Sequence, residues 1–250
     1  MDLTIGLTAL GLLVTGVACW VQINSYRLQK RQGTGPPGQQ VDPGEAAEVL
    51  SDVDEDLVRA IAADHIFVEA EERGVGYIDK QPICVYLDLH TASCDPAKRA
   101  ALSRSLAAFI RAELGASGKG ALIASPREGN LLVGAGTAEL LKTRFLMVRT
   151  VTAPRFGYPI EGIFNAGSNV VLVDDLCMEG TFLKRCVRNL RRYGLNISDC
   201  VCLFERVDGD AREALASVKV NLHSRYLIDD EELRQLRESG VVADRRERLT

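Results

Sequence analysis

The chain has 250 residues, 46% of them hydrophobic and 26% charged, a globular composition at a length that suits one large domain or two small ones. Its formal net charge of −4 excludes the basic footprint of a nucleic-acid-binding protein. Seven cysteines, an odd number with no CxxC among them, exclude the disulfide framework of a small secreted domain.

The first predicted element is the uncharged run Leu3 to Ile23. At about 1.5 Å rise per residue it reaches about 31 Å, the thickness of a bilayer core. Only Asp2 and the amino terminus precede it, and Arg27, Lys30 and Arg31 follow. That asymmetry predicts a single-pass N-terminal transmembrane helix within residues 1–26, with everything after it on the cytoplasmic side of the membrane. A cleaved signal peptide would need a basic n-region and a shorter apolar core. Residues 27–50 hold Gly33, Gly35, Pro36, Pro37, Gly38, Pro43 and Gly44 without apolar period, the pattern of a linker. Residues 51–250 form the remaining unit, the domain.

Within that domain the pattern predicts a helix over Val53 to Ala63, a strand over Pro82 to Leu89 and a long helix from Ala97 to Leu114. A short apolar strand from Ala121 to Ala124 runs into Ser125-Pro126, and a helix from Leu132 to Lys142 follows. Strands are expected at Phe145 to Val151, Asn169 to Val173, Cys200 to Arg206 and Val220 to Leu227. Between and after them come helices at Gly180 to Tyr193, capped by Gly194, at Asp210 to Ser217, and from about Asp229. Alternating strands and helices imply an α/β fold, a parallel sheet with helices on both faces. Ligands of such sheets bind outside the carboxyl ends of the strands.

One of those ends is rich in chemistry. The apolar strand Asn169 to Val173 leads into Asp174-Asp175-Leu176-Cys177-Met178-Glu179-Gly180-Thr181 and then a helix. Two carboxylates can accept hydrogen bonds from two ribose hydroxyls, and a glycine-containing loop at a helix N-terminus can hold a phosphate. On this segment alone, carboxylates that merely end a strand explain the pattern equally well. Cys200 and Cys202 share one strand face and read as buried thiols rather than metal ligands. His65, His90 and His223 are too dispersed for a metal site. Arg188, Arg191 and Arg192 lie on one helix and read as a solvated face, with anionic-lipid contact as the alternative for an anchored domain.

From about residue 60 to 235 the chain resembles the type I phosphoribosyltransferases, most closely the orotate phosphoribosyltransferases. The acidic pair after its apolar strand carries the resemblance. So do Val85-Tyr86-Leu87-Asp88-Leu89 followed by Asp95-Pro96 and a helix, Ser125-Pro126-Arg127-Glu128-Gly129, Val148-Arg149, Ile160-Glu161-Gly162, and Leu222-His223-Ser224. The resemblance implies the type I phosphoribosyltransferase fold, with a small hood built from residues around 51 to 90 and the C-terminal part. It implies phosphoribosyl pyrophosphate, or another ribose-bearing nucleotide, as ligand. Asp174 and Asp175 would hold the ribose hydroxyls directly or through Mg2+. The loop Glu179, Gly180 and Thr181 would face the 5′-phosphate. Ser125, Arg127, Gly129 and Arg149 would hold pyrophosphate. Arg155, on the mobile loop, would be the catalytic cation. A homodimer is implied as well.

Several positions depart from the family pattern. Glu179 and Phe182 stand where hydroxyl residues are expected, Thr181 replaces a glycine, Thr150 replaces a lysine, and Arg155-Phe156 replaces a lysine- and histidine-bearing run. A carboxylate about 4 Å from a phosphate costs about 4 kcal/mol at an effective dielectric near 20, about a thousandfold in affinity. Two functions are therefore expected: membrane-anchored transfer of ribose 5-phosphate to a nitrogen base of the orotate type, or a weak or inactive membrane-tethered nucleotide-binding sensor or effector.

Overall fold

The computed structural model describes residues 55–68, 76–78, 81–83, 85–127, 129–150 and 158–239. In chain order these give α1 (Glu55–Ala63), β1 (Ile66–Val68), β2 (Gly76–Ile78), β3 (Gln81–Ile83), β4 (Val85–Leu87), α2 (Leu89–Cys94) and α3 (Pro96–Gly118). The second half gives β5 (Leu122–Pro126), α4 (Leu131–Leu140), β6 (Phe145–Val148), β7 (Ile160–Glu161), β8 (Asn169–Cys177), α5 (Thr181–Arg192), β9 (Asn196–Arg206), α6 (Ala211–Ala216), β10 (Asn221–Ile228) and α7 (Asp230–Ser239).

The main sheet has six strands in the order β10-β9-β8-β5-β6-β7. Five of them run parallel, and β7 pairs antiparallel with β6 through Met147↔Glu161 and Val148↔Ile160. The sheet is thus mixed, which corrects the all-parallel expectation. Two residues of edge pairing are too few to leave a period in the sequence, so β7 is invisible there.

Burial follows sequence pattern. β5 lies at the centre and is buried along its whole length, whereas β10 at the edge alternates, hiding Leu222, Ser224, Tyr226 and Ile228, as a sheet covered on both faces inside and on one face at its edge requires. α5 hides Leu183, Cys186, Val187 and Leu190, the spacing of one helical face. Each such large apolar side chain stabilises the fold by about 1.5–3 kcal/mol on burial. The two sheet faces carry separate cores. One packs α1, α3 and α4 against Ile123, Val171, Val173 and Val201, and the other packs α5 against Leu172, Cys200 and Cys202. The buried cysteines among the described residues are unbridged thiols. Beside the sheet, α7 packs on α1, β4 and β1, and β1 pairs antiparallel with β4.

The expected membrane anchor is corrected. Among the described residues no helix is long and apolar enough to cross a membrane. The longest, α3, has 23 residues but carries Lys98, Arg99, Arg104, Arg111 and Glu113 and breaks at Gly115 (φ 47°, ψ −122°). The run Leu3 to Ile23 and the linker 27–50 lie outside the described residues. The transmembrane helix, the single-pass placement and the cytoplasmic-side assignment that depended on it are therefore dropped.

Smaller differences have local causes. The predicted strand Pro82 to Leu89 is two short strands in different two-stranded sheets, β3 and β4. α2 went unread because Asp88 starts a helix within one residue of β4: its side chain accepts from the Thr91 N–H at 3.0 Å, an N-cap. β8 and β9 are longer than their apolar runs, since paired backbone continues through polar residues at both strand ends.

Candidate functional site

The site forms where β8 outruns its neighbour. The β5 ladder on β8 ends at Ala124↔Leu172, while β9 stays paired with β8 as far as Cys177↔Glu205. Asp174 and Asp175 sit on this overhang, at the carboxyl end of a strand in the middle of the sheet. After β5 the chain turns, with the Gly129 N–H donating to the Pro126 carbonyl at 3.1 Å. This turn brings Gly129 over the acidic pair. A Cβ at position 129 would lie 2.6 Å from Asp174 Oδ1, so only glycine lets the loop approach this closely.

Asn130 joins the two segments. Its Nδ2 donates to Asp175 Oδ2 at 2.9 Å and to the Leu89 carbonyl at 3.0 Å, and its Oδ1 accepts from the Val133 N–H at 3.3 Å as the N-cap of α4. Asp175 is 5% exposed, and its Oδ1 accepts from the Leu176 N–H at 2.8 Å. Asp174 accepts from the backbone N–H groups of Asp175 and Asn130. Burial, and then the charge of Asp175, hold the Asp174 carboxyl well above the usual carboxylate range. The half-buried Tyr86 phenol is raised too, by burial and then by the carboxylates of Asp175, Asp88 and Asp174. It remains a hydrogen-bond donor facing an acidic crevice.

Beyond the pair, Gly180 is the N-cap of α5 in the left-handed region (φ 66°), with no side chain capping the helix. The first amides of α5 are thus left for solvent or an anion. Glu179 and Thr181 are exposed, and Phe182 is 53% exposed with the Arg185 guanidinium 5.9 Å from its ring centre.

The remaining expected residues are placed differently. Ser125 is fully buried and its hydroxyl turns to the Pro126 carbonyl at 3.4 Å. Arg127 is exposed, and its N–H donates to the Val148 carbonyl at 2.7 Å. Arg149 follows β6, and its guanidinium is paired with Glu161 on β7. Arg155 and Glu128 lie outside the described residues. Asp174, Asp175 and Gly129 are therefore brought together, Ser125 is buried near the end of β5, and Arg149 is held by an internal partner. Sequence reasoning missed Asn130 and Tyr86. Asn130 had a readable signal, an asparagine directly before an apolar helical run; Tyr86 had none beyond its place one residue before Leu87-Asp88. Among the described residues no three His, Cys, Asp or Glu side chains group to hold a metal ion.

No protein-family model matches the chain. In sequence it is 24% identical over 157 residues to an orotate phosphoribosyltransferase of Cenarchaeum symbiosum, covering 63% of this chain and 78% of that protein. It is 29% identical over 127 residues to an orotate phosphoribosyltransferase of a Methylobacterium, covering 51% of this chain and 63%, just under two thirds, of that protein. Among solved structures, UMP synthase of Leishmania donovani superposes with a TM-score of 0.60 at 20% identity over 82% of this chain and 45% of that one. Orotate phosphoribosyltransferase of Aeropyrum pernix superposes with a TM-score of 0.55 at 22% identity, over 73% and 97%. The chain is thus similar in sequence to orotate phosphoribosyltransferases and has the fold of the type I phosphoribosyltransferases.

Proposed function

We propose that the protein transfers the phosphoribosyl group of phosphoribosyl pyrophosphate to a ring nitrogen of an orotate-type base. The observation that carries this reading is the contact of Gly129 with Asp174 beside the Asn130–Asp175 hydrogen bond. It joins a glycine turn, able to cradle pyrophosphate, to a carboxylate pair able to hold ribose hydroxyls, at adjacent strand ends. In the reaction the base attacks as its ring-nitrogen anion, the proton having passed to water. The nitrogen lone pair forms the bond to the anomeric carbon, and the bond from that carbon to pyrophosphate oxygen breaks. Pyrophosphate leaves with the electron pair.

In this reading Asp174 and Asp175 orient the ribose, which holds the anomeric carbon in line for attack. The amides at Gly180 and Thr181, with the α5 dipole, receive the 5′-phosphate. Gly129 and Arg127 face the pyrophosphate, and Arg149 joins them once it releases Glu161. Arg155 is the proposed loop cation for the departing charge. Two adjacent carboxylates suit Mg2+, which is ordinarily held by one or two carboxylates plus substrate phosphates rather than by an all-protein cage. When bound it would neutralise charge on the pyrophosphate.

The test is pyrophosphate release from phosphoribosyl pyrophosphate with orotate and a panel of other bases, in Mg2+. Base-dependent release is expected, falling at least about 100-fold in Asp175→Asn because orientation of the ribose is lost. No release with any base, from folded protein, overturns the proposal.

A further inference from the structure

We propose that Arg206, acting through Asp208 and Gly209, is a positioning residue that sets the phosphate loop from Met178 to Thr181 for a 5′-phosphate. This rests on the transfer reaction proposed above. Arg206 ends β9 and is 2% exposed, a charge that stays buried only if its donors are satisfied. Nε donates to Asp208 Oδ1 at 2.9 Å and one terminal nitrogen to Asp208 Oδ2 at 2.6 Å, a bidentate grip that fixes the carboxylate in plane and direction. The same nitrogen reaches Asp230 Oδ1 of α7 at 2.5 Å, and the other donates to the Val85 carbonyl of β4 at 3.1 Å. The turn after β9 is therefore pinned from inside the molecule.

That turn presses on the phosphate loop, backbone against backbone. A Cβ at Gly209 would collide with the Met178 carbonyl oxygen and lie 2.9 Å from its carbon. A Cβ at Gly180 would lie 3.0 Å from Ala211 Cα and 3.1 Å from its carbonyl oxygen. Two glycines, one on each segment, permit this interlock, and neither contact leaves room for a side chain. Beside the turn lies a cavity of about 360 Å³, bordered by Glu205, Asp208, Gly209, Arg212 and Leu227. The turn has space to relax into, so the Arg206–Asp208 grip decides where it stands. Glycine-mediated backbone contact passes that placement to the loop amides.

Gly209→Ala displaces the Met178 backbone directly, and Asp208→Asn weakens the grip without changing its shape. Both variants and the unmodified protein are titrated by calorimetry with phosphoribosyl pyrophosphate and, separately, with inorganic pyrophosphate, each in Mg2+. Pyrophosphate occupies the Gly129 side and lacks the 5′-phosphate, so it reports on the rest of the site. In Gly209→Ala, phosphoribosyl pyrophosphate is expected to bind about 10- to 100-fold more weakly, the scale of a misplacement near 1 Å. In Asp208→Asn the loss is smaller and in the same direction. Pyrophosphate affinity stays within about twofold, a split that general loosening of the fold does not produce. Unchanged affinity for both ligands, or an equal fall for both, overturns the proposal. If the unmodified protein binds neither ligand, the transfer reading itself fails and this inference falls with it.

Discussion

Exposure decides what Glu179 does to a phosphate. Within a few ångströms of a dianion at low dielectric, its carboxylate would all but forbid binding. Glu179 is exposed, however, and water screening brings a charge pair at 4 Å down to about 1 kcal/mol. The consequence is about fivefold in affinity rather than a thousandfold. Glu179→Gln is therefore expected to tighten phosphoribosyl pyrophosphate binding about fivefold in low salt, with the gain shrinking toward 1 M salt as screening sets in. Titration at two ionic strengths checks it, and a gain that ignores salt would mean the effect is not electrostatic. Gly129 is the opposite case, since a methyl there meets Asp174 in direct contact with no water between them. Alanine there puts a methyl 2.6 Å from Asp174 Oδ1, and the carboxylate must swing off the ribose. Gly129→Ala is expected to lose at least about tenfold in kcat/KM, a loss of about 1.4 kcal/mol at the transition state. Steady-state rates decide this, and unchanged rates would place the ribose elsewhere.

Elements made legible by period were readable in advance, and the connections that build the site were not. The apolar run of β8 identified the strand, and the acidic pair stood out because it followed that run. What the residues could not disclose is that β8 keeps its pairing with β9 through Asp174↔Cys202 and Leu176↔Phe204 after β5 has left it. Strand overhang depends on where a neighbour turns away, a tertiary property without a local signature. The two-residue β7 and the pairing of Arg149 with Glu161 were hidden for the same reason. α4 shows how an element end becomes part of a site: Asn130 caps the helix and holds Asp175 with the same amide group. Asn130→Ala is expected to cost about 1 kcal/mol for the cap, and about 1–3 kcal/mol more for a buried carboxylate short of a donor. Asn130→Asp keeps the capping oxygen but sets a second carboxyl against Asp175, so it should be the less stable variant at neutral pH and recover toward acid. Urea denaturation at two pH values checks the order, and equal stabilities would reduce Asn130 to a cap alone.

Among the described residues polar ties join distant parts of the chain, and Arg206 is a buried cation that makes one of them. It connects the end of β9 to β4 and to α7, the helix that packs on α1. This guanidinium therefore joins the main sheet to smaller elements beside it, as Asn130 does through Asp175 and the Leu89 carbonyl. The guanidinium is buried, but the Asp208 side chain is 45% exposed and Asp230 still pairs with Arg206, so removing Asp208 costs less than the about 3–5 kcal/mol of breaking a fully buried pair. Acid reaches this tie through Asp208, whose carboxyl is held below its ordinary range first by its hydrogen bond to Arg206. The sign follows from the protons bound. With a folded value below the unfolded one, the unfolded chain binds more protons in the interval between them, so stability falls as pH falls. The contribution of Asp208 is fully present above the ordinary carboxylate value of 3.8 and is lost as pH drops through its depressed folded value. Asp88, Asp95 and Asp199 are also lowered, but they contribute equally to the protein and to an Asp208→Asn variant. The difference between the two stability curves thus isolates the tie. Between about pH 5 and pH 2, Asp208→Asn should start less stable, lose less on acidification and converge on the unmodified protein. Denaturant unfolding followed across that range measures it, and two curves that stay parallel would show that the Arg206–Asp208 pair contributes nothing that acid can remove.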